Sequence, residues 1–179
     1  MADEIVIAPY DPRWPVLFEL EEEWLRKVLP AEAILAIEHF GSTSISGMDA
    51  KPVIDIMLAT PSLAGFAKYT KLIEGLDYAL WADNPQTDRL FFVKGLPPAP
   101  QRTHHLHITE PGGELWSRLA FRDYLRFRSA DAARYAALKH ELAMRHWSDR
   151  EAYTAAKEAF VREIMAKASA EGFAAPALR

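Results

Sequence analysis

The spacing of apolar residues divides the chain into a first part that contains short strands and a second part that is helical. Apolar or alternating runs, rich in β-branched and aromatic residues, predict strands at residues 33–40, 53–59, 77–81, 89–93 and 102–108. Apolar residues at helical spacing predict helices at about 13–29, 61–76, 114–128, 130–145 and 149–167. This order predicts an α+β fold, with a mixed β-sheet, flanking helices and a C-terminal helical bundle.

The change of pattern near residue 110 predicts two parts of one compact unit. Residues 1–110 form an α/β core, and residues 111–170 form helices packed on that core. Residues 171–179 are expected to form a frayed tail, because they have little to pack against. A Pro-rich connector without regular structure spans residues 95–100.

Composition and charge exclude several classes of partner. The formal net charge is -4 and the pI is about 5.9, which leaves no electrostatic footprint for a nucleic-acid duplex. The chain has no cysteine, so disulfides and thiolate zinc sites are excluded. No apolar run approaches the roughly 18 residues of a membrane span, and the N-terminus lacks a signal-peptide layout. We therefore expect a cytoplasmic protein without a membrane partner. The first helix carries Glu19 and Glu21 to Glu23, which we expect on a solvated face.

The residues from His39 to Leu58 carry the clearest chemical signal. Asp55 stands in the otherwise apolar strand Val-Ile-Asp-Ile-Met-Leu, and a buried carboxylate is costly unless a positive or hydrogen-bonding group meets it. The Gly41-Ser42 turn exposes backbone N–H groups at the start of a helical turn, where a phosphate binds well. The sequence therefore predicts a phosphate site beside a metal-binding acid. Ser42 and Thr43 offer hydroxyls to a phosphate, or act as helix caps.

Two histidines form a second group of candidate ligands. His105 and His107 are two residues apart on a predicted strand, so they share a face, while His104 points to the opposite one. Imidazole suits zinc or manganese better than magnesium. The alternative is that both rings are neutral and hydrogen-bonded within the core.

Several cations could bind phosphate. Lys51 precedes Pro52 at the start of the second core strand, and Lys157 lies in an apolar helix face. Arg122 is the central member of a row with Arg118 and Arg126 at helical spacing. Each has a second interpretation. Lys51 is then a surface lysine at a loop end, Lys157 is a lysine whose ammonium reaches solvent, and the three arginines form a solvated row.

Residues 39–56 resemble the GrpB family, which shows His-x-Gly-Ser-Thr-Ser/Ala-x-x-Gly-x-x-Ala-Lys-Pro-x-x-Asp-Ile at this place. The family's Arg-x-x-His-Leu-His motif matches residues 102–107, its Tyr-x-x-x-Lys matches residues 153–157, and its Tyr-Asp-Pro-x-Trp start matches residues 10–14. The chain is also similar to the wider nucleotidyltransferase superfamily, in which a Gly-Ser turn precedes Asp-hydrophobic-Asp/Glu. Met57 occupies the position of the second acid and cannot ligate magnesium.

The resemblance implies a nucleotidyltransferase-like sheet and a nucleotide or other phosphorylated small molecule as ligand. It implies that Gly41, Ser42 and Thr43 hold phosphates, and that Asp55 binds a divalent ion (Mg, Mn or Zn) with His105 or His107. Phosphate charge would be balanced by Lys51, Arg102 and Lys157, and the helical spacing adds Arg122 as a further candidate phosphate ligand.

Three activities stay open at this stage. The first is metal-dependent transfer of a nucleotidyl group to an unknown acceptor, with Asp55 as the catalytic residue. The second, favoured by Met57, is a non-catalytic module that binds a nucleotide or a coenzyme A related metabolite, since some GrpB-like domains are joined to dephospho-coenzyme A kinase. The third is metal-dependent phosphoester hydrolysis, which the histidine pair favours.

Overall fold

Five strands form one mixed sheet in the computed structural model, which describes residues 4–96, 99 and 101–178. Residues 97, 98 and 100 of the predicted connector, and the terminal residues 1–3 and 179, lie outside the described residues. The strands are β1 (Ala36–Phe40), β2 (Ile54–Ala59), β3 (Tyr78–Leu80), β4 (Arg89–Lys94) and β5 (His104–Thr109), in the order β1-β2-β5-β4-β3. Only β2 and β5 pair in parallel among them; the other neighbours are antiparallel. The predicted mixed sheet is confirmed.

Helices from the first half of the chain cover one face of the sheet. They are α1 (Arg13–Val28), α2 (Leu63–Phe66) and α3 (Thr70–Glu74), and a 3₁₀ turn at Ala67–Tyr69 divides the predicted helix 61–76 into α2 and α3. Leu25, Phe66 and Ile73 from these helices pack on Ile56 and Leu106 of the central strands. This cluster is the main hydrophobic core of the protein.

Helices from the second half of the chain lie against the other face. They are α4 (Glu114–Ser117), α5 (Leu119–Phe127), α6 (Ser129–Arg145), α7 (Arg150–Ala156) and α8 (Glu158–Ala170). Leu115, Trp116 and Leu119 pack on Met57 and Ala59 of β2. These contacts cover the β1–β2 side of the sheet. We call the surface of the same face along β5, β4 and β3 the cleft. Within the described residues, no helix has both the length and the apolar character needed to cross a bilayer.

The end of the chain differs from the expected frayed tail. The backbone N–H of Phe173 donates to the carbonyl of Ala168, and the Trp116 indole donates to the carbonyl of Pro176. Ala175 and Leu178 pack on the cluster that contains Met57. Residues 173–178 therefore cover apolar surface that the predicted helices left open.

Glu21 also differs from its expected solvated position. Its side chain is buried, and both carboxylate oxygens accept hydrogen bonds from Lys94 at 2.9 Å. The lysine at the end of β4 neutralises the glutamate, which explains how an acidic residue is tolerated on the inner face of α1.

Candidate functional site

Parallel pairing of β2 with β5 brings three predicted ligands to one face of the sheet. Asp55 lies opposite His105, and Met57 lies opposite His107. Residues that face each other across strands share a side of the sheet, as do residues two apart on one strand. One ligand atom from each of Asp55, His105 and His107 lies within 4.8 Å of the other two, and this is the only such group of three among the described residues. We call these residues the triad.

Asp55 and His105 form the tightest contact of the triad. Nδ1 of His105 lies 2.9 Å from Oδ1 of Asp55. Burial raises the pKa of Asp55, but the hydrogen bond from His105 and the charge of Lys51 outweigh it, so the pKa lies below its ordinary value. A carboxylate can only accept, so Nδ1 carries the proton. Nε2 of His105 is buried without a hydrogen-bond partner among the described residues.

His107 is held as a neutral ring. Burial lowers the pKa of His107 to about 3. The ring stacks on Phe91 with 4.5 Å between centroids and meets the edge of Phe40 at 6.0 Å. Its Nδ1 is buried with no partner in the described part of the chain, so the alternative of a core-satisfied histidine does not hold for this atom. Neutral imidazole is the form that binds metal ions, and one carboxylate with two imidazoles suits zinc or manganese.

The Gly41 turn lies directly against the triad. Gly41 has φ +69°, and a Cβ at this position would stand 2.3 Å from Oδ2 of Asp55. Only glycine allows the backbone to approach the carboxylate this closely. Ser42 begins the following 3₁₀ turn, and its side chain lies near Tyr135 of α6. The backbone of the turn therefore borders the triad at Asp55.

Thr43 was predicted to bind phosphate, but its side chain is hydrogen-bonded within the protein. Its hydroxyl donates to the carbonyl of Val53 at 3.3 Å and lies 3.0 Å from Nε2 of His39. The side chain is buried between the turn and β2, where it fixes the turn to the strand. A phosphate in the cleft cannot reach it without breaking these bonds.

Three lysines gather around two tyrosine rings beside the triad. Nζ of Lys157 lies 4.2 Å from the centroid of the Tyr153 ring, and Nζ of Lys51 lies 5.7 Å from the same centroid. Nζ of Lys139 lies 5.0 Å from the centroid of the Tyr135 ring. We call Lys51, Lys139 and Lys157 the lysine group.

Burial and mutual repulsion lower the pKa values in the lysine group. Burial lowers the pKa of Lys157 to about 8, and the negative charge of Asp55 opposes that shift. Burial and the charge of Lys157 lower the pKa of Lys139 to about 7, although its ammonium also donates to the carbonyl of Asp49. Lysines that repel one another in a buried site are stabilised by a bound anion such as phosphate.

Lys139 was missed by the sequence analysis. Tyr135, Lys139 and Leu142 are buried on one face of α6, so a lysine interrupts an apolar stripe there. The same signal singled out Lys157 and could have found Lys139.

Arg122 was also predicted to bind phosphate, but its guanidinium is hydrogen-bonded to protein groups. Its guanidinium donates to Glu38 at 2.7 Å, to the carbonyl of His39 at 2.8 Å and to Asp123 at 2.8 Å. The side chain is 6% exposed. Arg122 therefore joins α5 to β1, and its donors are occupied by protein groups rather than aimed at the cleft.

Neither Arg102 nor His104 belongs to the triad. Arg102 precedes β5 and lines a pocket formed with β3 and β4. His104 faces the α1 side, with its Nε2 3.9 Å from Glu21, as the strand alternation predicted.

These observations define a mixed α+β protein with a candidate carboxylate–histidine metal centre beside a glycine turn and a group of buried lysines. A family model described as "GrpB protein" matches residues 4–167. The chain belongs to the GrpB family.

Individual relatives agree with this assignment. A UPF0157 protein of Pseudomonas aeruginosa is 46% identical over 169 residues, which are 94% of this chain and 69% of the relative. The crystal structure of the conserved protein GrpB from Enterococcus faecalis has a TM-score of 0.82 at 33% identity, and the match covers 93% of this chain and 98% of that one. A dephospho-CoA kinase of Mycolicibacterium paratuberculosis is 28% identical over 186 residues, and the match spans 90% of this chain but 45% of the kinase.

Proposed function

We propose that the protein binds a divalent metal ion through Asp55, His105 and His107 and uses it to transfer a nucleotidyl group from a nucleoside triphosphate to an acceptor. The observation that supports the proposal is that the triad, the Gly41 turn, Lys51 and Lys157 lie together around Asp55. Zinc and manganese are the ions that best suit this donor set.

Each part of the cleft has a distinct role in this proposal. An ion held there would neutralise charge on the phosphate oxygens during transfer. Asp55 and the two histidines hold the ion, and the backbone N–H groups after Gly41 bind phosphate oxygens. Lys51 and Lys157 balance the remaining negative charge, and Lys139 joins them in that role.

A second candidate function is binding without transfer. Met57 is fully buried against Leu115 and Trp116, so core packing fills the position of the superfamily's second acid. A site with one carboxylate at this place holds one ion rather than two, which favours a module for a nucleotide or a coenzyme A related metabolite. The match to a dephospho-CoA kinase supports the latter ligand.

The products of one incubation separate these functions from metal-dependent hydrolysis, which the two imidazole donors favour. The protein is mixed with the four common ribonucleoside triphosphates and magnesium, manganese or zinc, together with candidate acceptors. Transfer releases pyrophosphate, hydrolysis releases phosphate or nucleoside, and binding alone gives a thermal shift. Absence of all three signals for every metal contradicts the proposal.

Variants of the triad test the metal site itself. We expect Asp55→Asn to fold but to lose the metal-dependent thermal shift, because the amide carries no charge to hold the ion. We expect His107→Ala to weaken manganese uptake at least tenfold and the matched control His104→Ala to change it less than twofold, since His104 faces the other side of the sheet. Equal effects of the two histidine substitutions would remove the triad from the proposal.

A further inference from the structure

A small apolar pocket lies on the triad's face of the sheet, one strand further along. Its volume is about 170 Å³, and it is lined by Ala79, Leu80, Trp81, Val93, Leu96 and Arg102. Val93 lies opposite His105 in the antiparallel pairing of β4 with β5, and Ala79 lies opposite Val93 in the pairing of β3 with β4. Neighbouring strands are about 4.8 Å apart, so the pocket begins within about 5–10 Å of His105.

A row of aromatic rings connects this pocket to the triad. The ring centroid of Trp81 lies 5.6 Å from that of Phe91, and Phe91 stacks on His107 at 4.5 Å. Trp81 is nevertheless 41% exposed, which leaves a large part of the indole open to the cleft. An exposed tryptophan beside an apolar pocket provides a stacking surface for a flat ring.

The size and lining of the pocket limit what it can hold. A pocket for a whole drug-sized ligand encloses roughly 300–1,000 Å³, so a space of this size takes one ring system rather than a complete nucleotide. Ala79, Val93 and Leu96 present apolar surface to such a ring. Arg102 carries a planar guanidinium, a group that stacks on aromatic rings and binds their polar edges.

We propose that this pocket holds the aromatic ring of the ligand whose phosphates are bound by the Gly41 turn and the lysine group beside the triad. The inference rests on the proposed function and adds the class of ligand: a phosphorylated compound that carries a flat aromatic ring, such as a nucleobase. The ring lies on Trp81 on one side of the triad, and the phosphates extend toward the lysine group on the other side.

Calorimetric titration of the full chain in manganese tests this division. The probes are the tightest-binding of the four common ribonucleoside triphosphates and inorganic tripolyphosphate, which has phosphates but no ring. We expect Trp81→Ala to weaken the nucleotide at least tenfold and to change tripolyphosphate less than twofold. The matched control Trp24→Ala removes another exposed tryptophan, on α1 at the opposite face, and should change neither probe.

The outcomes separate failure of this inference from failure of the proposed function. If Trp81→Ala leaves nucleotide affinity unchanged, or weakens both probes equally, the ring does not lie in this pocket, while the phosphate site stands. If neither probe binds the unaltered protein in a manganese-dependent way, the proposed function fails and this inference fails with it. Manganese affinity of Trp81→Ala is measured without ligand, and an unchanged value shows that the contact between Phe91 and His107 is intact.

Discussion

At the scale of a residue, the buried charge of Lys139 lowers the stability of the protein. The side chain is 2% exposed and lies close enough to Lys157 for the two charges to repel. A protein selected for stability alone would place an apolar side chain at this position, because burial of a charge without a partner charge is unfavourable. Retention of such a lysine fits a site that trades stability for binding.

We predict that Lys139→Met stabilises the protein by about 2 kcal/mol below pH 7, after allowance for the lost hydrogen bond to Asp49. The pKa of Lys139 is about 7 when folded and 10.5 in its ordinary state, so the unfolded chain binds more protons between these values. The stabilisation therefore shrinks as the pH rises from 7 toward 10. Urea unfolding at several pH values measures it.

The exposed Lys68→Met serves as the matched control and should change stability by less than about 0.5 kcal/mol at any pH. Lys139→Met should also weaken tripolyphosphate binding at least fivefold at pH 7. A variant that is less stable at pH 6 than the unaltered protein would contradict this account of Lys139.

The residues of the site differ in how far the sequence predicts them. Asp55 is visible because a charge in an apolar strand is rare, and His105 and His107 follow from strand alternation. The structural roles of Thr43 and Arg122 cannot be read from the sequence, because their hydrogen-bond partners come close only after folding. The sequence shows which residue carries a hydroxyl or a guanidinium, but it does not show whether that group binds a ligand or another part of the protein.

At the scale of elements, Arg122 of α5 joins that helix to β1, one of the two edge strands of the sheet. Arg122 of α5 contacts Glu38 and the backbone of His39 in β1, which is the edge strand next to β2. The pairing of α5 with β1 thus depends on a charged contact as well as on apolar packing. Because β1 leads into the Gly41 turn, this contact also positions the turn.

We predict that Arg122→Met lowers the free energy of unfolding by about 3 kcal/mol, because Glu38 and Asp123 lose a nearly buried partner. Tripolyphosphate affinity of the folded variant should change less than twofold. Arg145→Met is the matched control: it breaks an exposed pair with Glu141 and should cost less than about 1 kcal/mol. A large loss of affinity with unchanged stability would instead make Arg122 a phosphate ligand.

The elements themselves are largely readable from the sequence, but their pairing is not. All five strands fall within predicted segments or extend one residue past them, because apolar alternation is a local property. The parallel pairing of β2 with β5 joins residues 50 positions apart, as between Asp55 and His105. Such a contact depends on the whole sheet, and the family resemblance rather than the local pattern anticipated it.

At the scale of the molecule, the last residues complete the hydrophobic cover of the sheet. The Phe173 ring lies 5.5 Å from that of Tyr124, and Ala175 and Leu178 pack on the cluster around Met57. Phe173 and Leu178 are the only large apolar residues in this segment, and their partners lie in distant parts of the chain, so the sequence suggested fraying. The tail is part of the folded unit.

We predict that deletion of residues 173–179 lowers the free energy of unfolding by about 2–4 kcal/mol, because it exposes Trp116 and the apolar surface behind β2. Thermal unfolding measures the loss, and a red shift of tryptophan fluorescence reports the exposure of Trp116. Phe173→Ala is the matched point variant and should cause part of the loss. An unchanged melting temperature of the truncated protein would show that the tail contributes nothing.

The pairing of β2 with β5 also has a consequence for the proposed metal site. Backbone hydrogen bonds close both ends of this pair, from Ile54 to Thr103 and from Thr60 to Thr109, each at 2.9 Å. The ligands are thus held at their spacing by the main chain before any ion arrives. Loading should then be a single kinetic step, limited by how fast the hydrated ion sheds water, and stripped and loaded protein should have superimposable backbones.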